Sequence, residues 1–120
     1  MNRGERRGFT VTDALTARLT EVRRRILGRA QTTLGEALAL LDAADRDALP
    51  QAERDRLYIM IHNLAGSGGL VGLQDVSAAA KDLDKAVSGW LRAGEARPQW
   101  RPAFQALALA MTEAQRKESS

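Results

Sequence analysis

Apolar residues recur at three- and four-residue steps along several stretches of this chain, which is the period of amphipathic helices. The first stretch starts at Thr12, a side chain suited to capping, and passes through Leu15, Leu19, Val22, Ile26, Ala30, Thr33, Ala37 and Leu41 to end near Ala44. A continuous helix of that span would be about 50 Å long. The pattern therefore predicts either a break near Gly28 or a first half that overhangs its partners.

After the polar loop Asp45–Pro50, a second helix is predicted over 50–71, with Pro50 in its first turn and Gly72 as its C-terminal stop. Asp75 is the expected N-cap of a third helix, with Val76, Ala79, Ala80, Leu83, Val87, Trp90 and Leu91 as its buried stripe and Gly94 at its end. A fourth runs from about Pro98 to Lys117, with Trp100, Phe104, Leu107, Ala108, Met111 and Ala114 on one face. Four such helices joined by short loops predict an all-α, antiparallel four-helix bundle with an N-terminal extension. The expected division is a flexible basic tail over 1–11 and one bundle domain over 12–118.

Composition narrows the chemistry. Aromatic residues make up only 4% of the 120, and the chain has no cysteine, so disulfides, thiolate metal sites and a cysteine nucleophile are excluded. No apolar run approaches the roughly 18 residues of a spanning helix, and the start of the sequence has no signal-like apolar region, so a cytoplasmic protein is expected. Of the net charge of +3, residues 1–29 hold eight arginines against Glu5, Asp13 and Glu21. Without interleaved aromatics or a reading motif these arginines are read as a solvated face, and nucleic-acid binding is disfavoured. The acids Asp42, Asp45 and Asp47 lack the glycine and terminal glutamate of a calcium loop.

Four of the ten glycines crowd into Tyr58-Ile-Met-Ile-His-Asn-Leu-Ala-Gly-Ser-Gly-Gly-Leu-Val-Gly72. Gly66, Gly68 and Gly69 inside a helix together cost about 2–3 kcal/mol relative to alanine, so folding alone would not select them. A helical wheel puts Leu57, Met60, Leu64, Gly68 and Val71 on the core face. His62, the only histidine, then points outward with Tyr58, Ile59, Ala65, Gly66 and Gly69 around it. A surface stripped of bulky side chains lets another macromolecule bring a reactive group close to an imidazole. That ring is nucleophilic near neutral pH and forms a phosphoramidate that passes its phosphoryl group on readily. Gly66-Ser-Gly-Gly is not a nucleotide loop, since no Gly-Lys-Ser/Thr follows it.

The segment His62-x-Leu64-x-Gly66-Ser67-x-x-x-x-Gly72-Leu73, continued by Leu83-Asp84, resembles the signature of histidine-containing phosphotransfer (HPt) domains, which usually have Leu-Glu at the last pair. The resemblance is specific over residues 57–84. It implies a four-helix phosphorelay domain in which His62 accepts the phosphoryl group, Gly66 keeps the approach open and Gly72 ends the helix. It also implies a partner that is a response-regulator receiver domain or a hybrid sensor histidine kinase, no intrinsic ATP-dependent kinase activity, and no cofactor of its own. The receiver is expected to bring the magnesium ion and a lysine. One departure is Ala65, where many members carry a lysine or arginine; Lys81 and Lys85 are possible substitutes. The alternative, from another class, is a helical adaptor or dimerisation module that uses the small-residue face and in which His62 has no chemical role.

Overall fold

In a computed structural model the chain is described over residues 10–70 and 73–119, with side-chain surroundings over 10–66 and 73–118. These residues form four helices, α1 (Val11–Arg46), α2 (Gln51–Leu70), α3 (Gln74–Ala93) and α4 (Arg101–Ser119), with no strand among them. The arrangement is the all-α four-helix bundle that the periodicity predicts.

Helix α1 is continuous through Gly28 and Gly35, so the long apolar pattern resolves as an overhang and not as a break. Its 36 residues extend about 54 Å, against about 30 Å for each of the other helices. Burial begins only at Leu27 and continues through Ala30, Leu34, Ala37, Leu41 and Ala44. The cap is Thr10, not Thr12. The Thr10 hydroxyl accepts from the Asp13 amide at 3.1 Å while the Asp13 carboxylate accepts from the Thr10 amide at 3.0 Å, a reciprocal capping box that Thr12 has no equivalent acid to complete.

Two other boundaries move. Helix α3 starts at Gln74 with Leu73 as its cap residue and Asp75 in the first turn, where a carboxylate favours the helix dipole without capping it. Residues 98–100 precede α4 instead of opening it. Gly94 does end α3, at φ 71°, a left-handed conformation that glycine adopts without strain. The expected stop at Gly72 lies outside the described residues.

The core joins all four helices. Leu57, Ile61, Leu83, Val87, Leu107 and Met111 are completely buried, with Leu41 of α1 beside them. At one end Trp100 is buried and donates its indole N–H to Asp45 at 3.0 Å, with Phe104 edge-on at 5.9 Å. Arg101 lies 4.4 Å above the Trp100 ring and pairs with Asp42 at 2.9 Å; Arg97 pairs with Asp45 and donates to the Ala44 carbonyl. This cluster caps the C-terminal end of α1 with cations, where its carbonyls lack helical partners.

Candidate functional site

Helix α2 carries the site. Its buried residues are Leu57, Ile61, Leu64 and Ala65, and Met60 is half-buried against them. The true core face is therefore rotated from the predicted one, towards Ile61 and Ala65. Because α2 packs against both α1 and α3, its apolar sector is wider than one stripe. Ala65 is consequently corrected from the outward face to the interior: it is 6% exposed, and its carbonyl accepts a 2.7 Å hydrogen bond from the buried Ser77 hydroxyl of α3.

His62 points outward, with 61% of its side chain exposed. Two groups hold the ring. One turn earlier, Tyr58 stacks on it with ring centroids 5.6 Å apart and planes 21° from parallel. Tyr58 is steadied in turn by Arg92 of α3, whose guanidinium lies 5.0 Å above the phenol ring and 3.4 Å from its oxygen. From α3, the Asp84 carboxylate approaches His62 Nδ1 at 3.5 Å. That is longer than an ordinary hydrogen bond, and it places the carboxylate on the Nδ1 side of the ring. A carboxylate at Nδ1 favours the tautomer with its proton there and leaves the Nε2 lone pair facing solvent.

The other Asp84 oxygen is buried and has no hydrogen-bond partner among the described residues. An unpartnered buried acceptor costs stability.

Next to the ring, Gly66 is exposed, and a Cβ built on it would meet nothing within 4 Å. Among the described residues no packing contact demands glycine there, as none does at Gly28 and Gly35 of α1. Ile59 is 56% exposed and Tyr58 half-buried, so both contribute to the same surface. The surroundings of Gly69 lie outside the described residues. Lys81 and Lys85 are exposed, and the α3 side chain that reaches His62 is Asp84. Periodicity could not assign Asp84 this role, because it depends on the α2–α3 register; the only signal was its place in the Leu83-Asp84 pair. Among the described residues no group of three or more His, Cys, Asp or Glu side chains is placed to hold a metal ion.

The family comparison places this bundle as a whole. The Hpt domain model matches residues 21–117, about four fifths of the chain. The protein belongs to the Hpt domain family. Comparison with curated proteins and with solved structures finds no match. As an Hpt domain it is a histidine phosphotransfer module of two-component phosphorelay signalling, a family that works with receiver domains or kinases and has no kinase activity of its own. No helix among the described residues is long and apolar enough to cross a membrane.

Proposed function

We propose that His62 is the phosphoryl-accepting residue, and that this Hpt domain exchanges its phosphoryl group with an aspartate of a response-regulator receiver domain. The observation that carries the reading is an exposed His62 ring with Asp84 on its Nδ1 side and Tyr58 stacked on it, beside the exposed Gly66.

In transfer from a receiver, the Nε2 lone pair attacks the phosphorus of the aspartyl phosphate. The N–P bond forms, the P–O bond breaks, and the receiver's carboxylate leaves with the electron pair. Because Nδ1 keeps its proton, the phosphorylated ring bears a positive charge. The Asp84 carboxylate stabilises that charge as it develops, a favourable arrangement in a partly desolvated site. A cationic phosphoimidazole is also a good leaving group, so the same geometry supports the reverse step to a second aspartate. The chain contributes positioning and one counter-charge. The magnesium ion and a lysine belong to the receiver in this reading, which offsets the missing cation at Ala65.

Tyr58, Ile59 and Gly66 form the docking surface around the nucleophile, together with Gly69 by its place in the sequence. Apolar and small side chains supply contact area there without obstructing the approach of the partner. The test is incubation of wild type and His62→Gln with a panel of receiver domains carrying labelled aspartyl phosphate. Acid-labile label on wild type alone is expected. Equal label on both, or none on a folded wild type from any receiver, contradicts the assignment.

A further inference from the structure

The overhanging half of α1 carries an apolar stripe that the bundle does not cover. Val11, Leu15 and Leu19 are 78%, 61% and 49% exposed, and Val22 and Ile26 continue the stripe half-buried. On a helical wheel these five span about 80°. The stripe runs into a groove of about 350 Å³ between α1 and α2, whose lining includes Ile26, Arg29, Thr33, Ile59, Met60 and Asn63. Arm and groove thus form one largely apolar track that ends at Ile59 and Asn63 of α2.

Charge selects the occupant. Between Asp13 and Glu36 the only acid of α1 is Glu21, already engaged by Arg24 at 3.4 Å and Arg25 at 3.8 Å. Arg18 and Arg29 make no ion pair among the described residues, and Arg18 and Arg25 border one edge of the stripe. A second copy fits poorly. With Leu15, Leu19, Val22 and Ile26 at a and d positions, Arg18 and Arg25 fall at g and Arg23, held by Glu118 at 3.2 Å, at e, so two paired arms would bring no free acid to Arg18 and Arg25. A membrane surface also fits poorly: residues 10–57 contain no aromatic residue, and a groove accepts a rod, not a plane.

We infer that the α1 arm and the α1/α2 groove are a docking site for an acidic amphipathic helix of another protein, with its apolar face on the track and its carboxylates on Arg18, Arg25 and Arg29. Helix-in-groove recognition of this kind uses apolar anchors at three- and four-residue steps. The site recruits a partner at a distance from the reacting atoms and directs it along the track towards Ile59 and Asn63. Binding here is independent of whether His62 accepts phosphate.

The probe is a fluorescent 21-residue peptide with leucine at heptad a and d positions and glutamate at e and g, titrated with the full chain by fluorescence anisotropy. A matched peptide with lysine at e and g is the control. The glutamate peptide is expected to bind wild type at least about tenfold more tightly than the lysine peptide. Leu15→Ser with Leu19→Ser should weaken it by about tenfold or more, and Arg18→Glu with Arg25→Glu should reverse the preference. All four positions are exposed, so unchanged melting curves will show that the bundle is intact. Failure of the glutamate peptide to bind, or equal binding of the two peptides, overturns the inference. So does a dimer in sedimentation that the leucine substitutions dissociate, or binding of the chain to phosphatidylglycerol vesicles in preference to the peptide.

Discussion

At the end of the bundle where α1 meets α4, Asp42, Asp45, Arg97 and Arg101 all have partners around a buried Trp100. On the His62 face, by contrast, one Asp84 oxygen is buried without a partner among the described residues, and Gly66 leaves space that none of them fills. Both regions are rich in charged and aromatic groups. The first spends them on closing the fold, and the second leaves them unsatisfied where another molecule approaches. The difference teaches that polar groups mark function here by being incompletely used, not by being numerous.

Substitutions should therefore separate stability from transfer according to region. The largest effect is expected at the closed end, where Trp100→Ala removes a large buried side chain and its bond to Asp45. A loss of about 3–5 kcal/mol in urea unfolding is predicted, with unaltered transfer per folded molecule. Reduced transfer at full stability would instead tie this end to the site.

On the open face, Gly66→Arg should lower transfer from a receiver by about a hundredfold, equivalent to about 2.7 kcal/mol, while the melting temperature holds. Gly66→Ala is its control, expected to raise stability by about 0.5–1 kcal/mol because alanine is the better helix former. Transfer that survives the arginine intact would mean that the open surface has no part in docking.

Asp84→Asn should have a smaller effect, about a tenfold slower transfer, or about 1.4 kcal/mol. Stability should stay within about 1 kcal/mol of wild type, because the buried oxygen has no partner to lose. The readout specific to positioning is the ring: histidine nitrogen shifts should show the Nδ1 proton less favoured in the variant. An unchanged tautomer with slowed transfer would assign Asp84 to partner contact. Smallest of all, Ser77→Ala removes one buried hydrogen bond and should cost about 1 kcal/mol, with little change in transfer.

The stripes of α3, α4 and the second half of α1 were legible because apolar spacing there matches the side that the bundle covers. The glycine-rich stretch was legible because glycines inside a helix carry a cost that the sequence alone shows, and at Gly66, the one whose surroundings are described, packing does not require it. The rotation of α2 was not, since Ile61 and Ala65 gain their burial from a second neighbour, α3, and a wheel drawn for one core face places them at its edge. Nor was the role of Asp84, which depends on how α3 slides along α2. The cap itself is written in the sequence, since a capping box needs an acid three residues on and Thr10 has Asp13 there where Thr12 has Leu15.

The central claim is a particular atom of a particular ring. The direct measurement is ³¹P and ¹⁵N magnetic resonance of the nitrogen-labelled chain after transfer from a phosphorylated receiver. The account predicts a single phosphohistidine at Nε2 of His62, with the proton retained on Nδ1. A phosphoryl group on Nδ1, or on any residue other than His62, would contradict it.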